Sequence, residues 1–501
     1  MRPELSGEET RRAAISHIAI VGDGLAAHMT AATLAAQLPE EIRLTLVRTG
    51  QQSAADILYG TVAGPAAYSF NLEAGLSEPR LVLDSDCAFS WGSSYTGWGT
   101  GARAWVQGYQ LPFPVIDGVT FQHYLTQQGI DRLDPFLFSS VAAQSGKFAH
   151  PPQQGTREAQ QPSGRAEYGY QFDPRSYADL FARIAGAAGR VEHADALLDG
   201  TDASNGSIRG LTLEGGRQLT ADIYVDCTGP DARLIAGLQP SYHGERVLAA
   251  AVARKSARSL GAAVRDVRSQ QYGWRATTPV RDGSVHLAVF DLASEDAALA
   301  DLGAEAEDRA QAQAGRREEA WTGNCVAIGQ ACGVIEPLTP APMMLLQGDI
   351  QRFVSLIPVG PSMDVERREF NRRFRDDFDH AQLFNRAFFE TTGLPETPYW
   401  QSARSAPIPE KLARKITMFE SRGVLVQYDL EPFHAEDWMV MHYGMGRVPR
   451  RNDISADRAP PERVAAYLEG LMRQIDMAAA GLPPHADYMT QLAGYLRQNR
   501  Y

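Results

Sequence analysis

Residues 16–27 read Ser-His-Ile-Ala-Ile-Val-Gly-Asp-Gly-Leu-Ala-Ala, and this stretch decides the fold. Its apolar run predicts a short buried strand, and the Ala-rich residues that follow predict a helix to about residue 37. Residues 42–47 predict the next strand. The result is a strand–turn–helix–strand unit, which is the beginning of a doubly wound parallel sheet.

The turn inside this unit is Gly22-x-Gly24-x-x-Ala27. Two glycines there permit a tight turn and the close approach of a diphosphate to the helix N-terminus, so the pattern predicts dinucleotide binding. A plain strand-to-helix turn is the alternative. The second strand ends in Arg48, where an acidic residue usually accepts the ribose hydroxyls, and arginine can only donate. Three alternatives are open: the ribose has another partner, Arg48 binds a phosphate, or the nucleotide carries the 2′-phosphate of NADP.

Two later segments have the same character. Asp226-Cys-Thr-Gly229 follows a predicted strand at residues 223–225, and residues 323–342 read GNCVAIGQACGVIEPLTPAP. An apolar run in the latter ends at Gly329, and Gly333 precedes a turn at Pro337, so backbone can approach a ligand closely. After a dinucleotide fingerprint, this predicts a second segment that contacts a flavin.

Composition limits the classes of partner. The 501 residues have a net charge of −12, which argues against nucleic acid or an anionic membrane as the main partner. The four cysteines fit neither a disulfide framework nor a metal site. No apolar run is long enough to span a membrane. Residues 1–14 are polar and predict a disordered lead-in rather than a secretory signal, so a cytoplasmic protein is expected.

We expect an α/β fold with a Rossmann-like, three-layer FAD-binding domain at residues 15–350. A substrate-facing sheet, from about 59–169 and 241–317, is interleaved with it, and residues 351–501 are mainly helical. Residues 56–110 predict loops and short strands. Residues 305–319 are strongly charged and predict a solvated helix.

The motifs occur in the order found in the tryptophan halogenase family of FAD proteins, and the resemblance covers nearly the whole chain. Residues 89–98 resemble the family's F-K-x-G-x-x-F-x-x-W, and residues 274–279 stand where it carries W-x-W-x-I-P. Residues 323–339 are similar to GN-x-VAIG-x-A-x-GF-x-EPLEST. Three further matches lie in the helical part: residues 370–373, 397–400 and 438–444.

The resemblance implies a halogenation that this chain is poorly equipped to perform. In the family, reduced FAD and O2 form a hydroperoxide, chloride attacks it, a lysine steers the hypochlorous acid to an indole, and a glutamate assists proton loss. Here Ser90 stands at the lysine and Thr339 at the glutamate. Pro340 and Pro342 remove two N–H donors from the halide pocket. No lysine precedes Lys147, so its absence does not depend on the alignment.

Our leading hypothesis is therefore an FAD-dependent monooxygenase that hydroxylates an aromatic or indole-type substrate, either a small molecule or a protein side chain, through a flavin hydroperoxide. NAD(P)H would reduce the flavin directly or through a flavin reductase. Ser90, Thr339 and Glu336 are the catalytic candidates. The alternatives are a catalytically silent protein that binds flavin or an aromatic ligand, and an atypical halogenase. The predicted substrate contacts, each of which could instead be a core residue, are Trp91, Tyr95, Trp98 and Trp274.

Overall fold

A computed structural model of the chain describes residues 15–50, 54–99, 103–113, 115–239, 241–303, 305–360 and 362–499. The prediction for residues 1–14 lies outside this part. The predicted unit at the start of the chain is confirmed. The strands His17–Val21 and Arg43–Val47 pair in parallel, and the helix Leu25–Gln37 connects them in the chain.

These two strands belong to a six-stranded sheet, in which His17–Val21 is one of the two central strands. His17–Val21 also pairs in parallel with Ile223–Asp226, so the first glycine turn and the Asp226 turn leave the same edge of the sheet. That edge, at the carboxyl ends of parallel strands, is where doubly wound folds bind ligands. The full strand order is Trp321–Thr322, Cys325–Ala327, Ile223–Asp226, His17–Val21, Arg43–Val47 and Val191–His193.

A second helix, Pro174–Ala187, packs against Leu25–Gln37. It begins where Asp173 accepts a hydrogen bond from the Arg175 N–H at 3.0 Å, and its apolar face is buried. An antiparallel three-stranded sheet follows in the chain, formed by Leu198–Ser204, Ser207–Leu213 and Arg217–Leu219.

An eight-stranded sheet joins distant parts of the chain. Arg265–Gln270 pairs in parallel with Gly92–Thr96, and this connects strands near residue 100 to strands beyond residue 240. The order is Gly333–Val334, Asp308–Arg317, Tyr242–Ser256, Gly283–Phe290, Gly273–Val280, Arg265–Gln270, Gly92–Thr96 and Trp105–Gly108. A small sheet, Val62–Ala63, Gly169–Gln171 and Ala88–Ser90, carries the segment that ends at Ser90.

Two expectations are wrong. Residues 305–319 do not form a helix, because Asp308–Arg317 is a strand in which Ala310, Ala312 and Ala314 recur with the period of two that suits a sheet. The segment 56–110 is not only loops and strands, since it contains two short helices, Ala66–Glu73 and Glu78–Asp84.

The C-terminal part is helical, as expected, although the proposed boundary between residues 350 and 351 stays a prediction. No helix in the described ranges is both long and apolar enough to cross a membrane. All four cysteines are buried and free. The helices after residue 340 are Ala341–Ser355, Asp364–Phe389, Pro398–Ala403, Glu410–Arg422, Ala435–Gly444, Pro461–Ala480 and His485–Gln498.

Candidate functional site

The first glycine turn is shaped by its own chain. Gly22 has a φ of +151°, and a Cβ there would lie 2.4 Å from the carbonyl oxygen of Cys227, so only glycine fits without a shift. Gly24 is the N-cap of the helix Leu25–Gln37, and Ala27 is fully buried. The backbone therefore has the form that a dinucleotide fold requires at this turn.

The Asp226 turn is also held internally. The Asp226 carboxylate accepts hydrogen bonds from the backbone N–H groups of Leu234 and Ile235, both at 2.9 Å, and from the Thr228 hydroxyl at 2.7 Å. Gly229 takes a φ of +73° in the same loop. Asp226 thus fixes the loop whose residues Thr228 and Asp231 line a cavity beside the first glycine turn.

Arg48 is paired with the turn itself. Its Nε lies 2.8 Å from the Asp23 carboxylate, which also accepts from the N–H and hydroxyl of Thr49, each at 2.6 Å. Burial raises the pKa of Asp23, but the Thr49 and Arg48 hydrogen bonds outweigh it, and the net pKa is below the ordinary value. A cavity of about 240 Å³ opens beside Asp23, bounded on its other sides by Thr49, Thr228, Asp231, Arg233 and Arg309.

The cavity and the turn fit the nucleotide half of FAD, which the motifs imply. Gly22, Gly24 and the helix N-terminus would hold the diphosphate, with Arg233 and Arg309 at the cavity wall. One donor is already used, because the N–H of Leu25 donates to the Asp56 carboxylate at 2.8 Å.

The segment around Gly329 and Gly333 is closely packed by protein side chains. A Cβ at Gly329 would lie 2.3 Å from the Tyr59 hydroxyl, and one at Gly333 would lie 2.6 Å from the Phe378 ring. The Tyr59 hydroxyl accepts from the Gln330 N–H at 3.0 Å. The cavity remaining there is only about 20 Å³, so in this conformation the glycines admit aromatic side chains rather than a flavin ring.

Ser90 and Thr339 are both used locally. The buried Ser90 hydroxyl donates to the Gly92 carbonyl at 3.1 Å and accepts from the Gly92 N–H at 3.2 Å. The Thr339 hydroxyl donates to the Asn385 side chain at 2.6 Å and accepts from the Ala341 N–H at 3.3 Å, next to the start of a helix. These contacts stabilise two turns.

Glu336 is the centre of a buried polar cluster. It accepts from the Trp274 indole N–H at 2.6 Å, from the Tyr399 hydroxyl and from the Arg246 guanidinium. Burial, followed by the nearby Glu336 charge, raises the pKa of Tyr399. Burial alone would lower the pKa of Arg246, but the pairing with Glu336 raises it overall. Glu336 also lines a cavity of about 640 Å³, between the eight-stranded sheet and the helix Asp364–Phe389.

The four predicted substrate aromatics do not form one group. Trp91 packs on Phe148 at 4.6 Å between ring centroids and donates to the Lys147 carbonyl. Tyr95 and Trp98 contact each other at 5.7 Å, while Trp274 lies at Glu336. All four are buried, so these contacts supply packing, and a substrate role for them stays a prediction.

Arg265 is a residue that sequence reasoning missed. It is fully buried and donates to the Ser93 hydroxyl at 3.2 Å, to the Pro337 carbonyl at 3.1 Å and to the Leu338 carbonyl. It therefore places a cation between the strand Gly92–Thr96, which follows Ser90, and the segment that carries Thr339. Arg265 and the apolar Val267 are two residues apart in a strand, so their side chains face the same buried side. This pattern could have predicted that Arg265 is buried, but it does not identify its hydrogen-bond partners.

Comparisons with known proteins agree with the motif order. Residues 17–461 match the family model described as tryptophan halogenase. The chain is 22% identical to tryptophan 6-halogenase ThaL of Streptomyces albogriseolus, over 96% of this chain and 99% of the relative. It is similar to BrvH, a flavin-dependent halogenase from Brevundimonas sp. BAL3, with a TM-score of 0.86 and 25% identity over 95% of this chain and 99% of that one. Xcc4156, a flavin-dependent halogenase from Xanthomonas campestris, also has a TM-score of 0.86, at 23% identity over 96% and 98% of the two chains.

Proposed function

We propose that this chain, which belongs to the tryptophan halogenase family, is an FAD-dependent monooxygenase that hydroxylates an aromatic or indole-type substrate. Membership in a family of flavin-dependent enzymes supports FAD as the cofactor. The finer proposal, oxygen transfer in place of halogen transfer, rests on two side chains.

The observation that carries the proposal is the state of Ser90 and Thr339. Their hydroxyls are bound within turns, and neither position has an amine or a carboxylate. A hydroxyl cannot form a chloramine, and a threonine is no base at neutral pH. The two steps that the resemblance assigns to a lysine and a glutamate therefore have no group to perform them at these positions.

Oxygen transfer needs neither group. When bound and reduced, FAD activates O2 for reaction with an electron-rich ring. NAD(P)H supplies two electrons, directly or through a flavin reductase; one oxygen atom enters the ring and the other leaves as water. The protein would bind and orient the ring and exclude water. Glu336, which lines the cavity of about 640 Å³, and the adjacent Trp274 are proposed to orient it.

The test supplies the purified protein with FAD, NADPH, a flavin reductase, O2 and a panel of indoles and phenols, with chloride and bromide present. We expect mass spectrometry to find products that gain one oxygen atom and no halogen. Reactions without the protein, and reactions with catalase, control for peroxide released by free reduced flavin. Halogenated products alone would establish the atypical halogenase, which family membership supports equally.

A catalytically silent ligand-binding protein is the second candidate. The contacts of Asp56 and Tyr59 favour it, because they use groups that a flavin would need. Flavin or aromatic binding without any product from the same panel would support it. A cytoplasmic location and a small-molecule or protein-borne substrate remain predictions for either candidate.

A further inference from the structure

The N-terminus of the helix Leu25–Gln37 already holds an anion from its own chain. Leu25 is the first residue of this helix, and its N–H donates to Asp56 Oδ2 at 2.8 Å. In a dinucleotide fold, N–H groups at this helix end, favoured by the helix dipole, are donors to the cofactor's diphosphate. A carboxylate thus lies where a phosphate oxygen would bind.

The Asp56 side of this helix end is mainly acidic, in contrast to the cavity wall that carries Arg233 and Arg309. Asp23, Asp56, Asp179 and Asp308 line a cavity of about 110 Å³ at this helix end. Two nearby arginines are already paired, Arg48 with Asp23 at 2.8 Å and Arg175 with Asp308 at 2.7 Å. A diphosphate entering here would meet an occupied donor and the half-buried charge of Asp56, whereas the charge of Asp179 is exposed to solvent and screened.

His28 adds a third observation at the same place. It lies one turn into the helix and lines the same cavity, and its buried Nδ1 has no hydrogen-bond partner within the described residues. Burial lowers the pKa of His28 despite the nearby Asp23 and Asp179 charges, which disfavours a positive charge on the ring. Such a buried polar atom calls for a partner, and a cofactor bound in this cavity would supply one.

Asp56 is connected to the segment around Gly329 and Gly333 through one short element. The 3-10 helix Ala54–Tyr59 carries Asp56 to the Leu25 N–H and Tyr59 to the Gln330 N–H, the latter at 3.0 Å. One turn of chain therefore contacts both glycine segments that the sequence assigns to the cofactor.

We infer that Asp56 is an internal phosphate mimic: its carboxylate occupies the diphosphate position on the helix, so FAD binds by displacing it, and Asp56 sets the affinity for the cofactor. This inference rests on FAD being the cofactor of the proposed function. It concerns binding alone and requires no turnover.

The test compares FAD affinity, by flavin fluorescence titration of the apoprotein, across three variants. Asp56→Asn and Asp56→Ala should each bind FAD at least about tenfold more tightly than the natural protein, since a competing charge has been removed from the helix end. Asp179→Asn is the matched control. Asp179 is exposed on the same cavity but makes no hydrogen bond to the helix, so affinity should change by less than about twofold.

Two further probes separate displacement from a general change in the site. ADP, which carries a diphosphate, should gain affinity for Asp56→Asn, whereas riboflavin, which carries no phosphate, should not. Thermal unfolding of each variant without ligand shows that it is folded; the Asp56 variants should melt lower than the natural protein without FAD and gain more on its addition.

Unchanged or weaker FAD binding by both Asp56 variants would overturn the inference. An equal gain for Asp179→Asn would also overturn it, because a general electrostatic effect would then suffice. These outcomes are distinct from failure of the proposed function, which would appear as tightened FAD binding without an oxygenated product.

Discussion

The glycine turn around Gly22 and the segment from Glu336 to Thr339 differ in whether backbone or side chains determine their form. At the glycine turn, the backbone keeps the form required by a dinucleotide, while Asp23 and Asp56 supply unusual charges. At the second segment, polar side chains are numerous but satisfy one another. A binding site made of backbone can survive substitution of its side chains, whereas catalysis by side chains cannot.

The largest expected effect is at Glu336. Glu336→Gln should leave the Arg246 cation without its ionic partner in the cluster and should lower the free energy of unfolding by about 3 kcal/mol or more. Urea denaturation measures this. Glu318→Gln, at a half-exposed residue paired with His243, should change stability by no more than about 0.5 kcal/mol. Equal losses for the two variants would show that the Glu336 cluster is no stronger than a surface pair.

Gly22→Ala examines the backbone of the glycine turn. The new Cβ would lie 2.4 Å from the Cys227 carbonyl oxygen at an unfavourable φ, so we expect a loss of about 2 to 3 kcal/mol. Gly186→Ala is the control, since it lies inside the helix Pro174–Ala187 with open space around it. It should stabilise the protein by up to about 1 kcal/mol. A stable Gly22→Ala protein would mean that this turn is not held as described.

Asp437, at the start of the helix Ala435–Gly444, gives the stability of the protein a pH dependence. Its backbone carbonyl accepts from Gln107, and burial, aided by Glu436 and Glu167, raises the pKa of Asp437 from 3.8 to about 6 despite a hydrogen bond from the His434 N–H. Between these values the unfolded chain releases a proton that the folded protein retains, so stability falls as pH rises through this range. Asp437→Asn should remove about 1 to 2 kcal/mol of that fall. Parallel stability–pH curves for the two proteins would contradict this assignment.

The smallest effect is expected at Arg48. Its side chain is 61% exposed, so Arg48→Ala should cost no more than about 0.5 kcal/mol despite the ion pair with Asp23. Urea denaturation at low and high salt measures the loss, which should shrink as salt rises. A loss comparable with that of Gly22→Ala would mean that the Arg48 pair stabilises this turn as strongly as the glycine backbone does.

Local pattern was sufficient for much of the fold. The strand His17–Val21, the glycine turn and the helix Leu25–Gln37 follow from residues adjacent in the chain, and the structure confirms them. The strand Asp308–Arg317 was missed because its charged residues suggested a solvated helix. Its alternating alanines become decisive only when Tyr242–Ser256 lies beside them.

The candidate site was less predictable. Glu336 was named as a candidate, but its partners Arg246, Trp274 and Tyr399 come from three separate parts of the chain. Such partners decide whether a polar side chain is available for chemistry or has its hydrogen bonds already made within the protein. Composition does not specify these partners.

By itself, the sequence determined the doubly wound beginning of the fold, the family, and the absence of a lysine before Lys147. These are properties of residue type and short spacing. Only the tertiary structure decided that Asp56 reaches the N–H of Leu25, 31 residues away, and that Arg265 reaches the Leu338 carbonyl, 73 residues away. The physical reason is that periodicity encodes local conformation, whereas hydrogen bonds between distant residues arise only when the elements that carry them pack together.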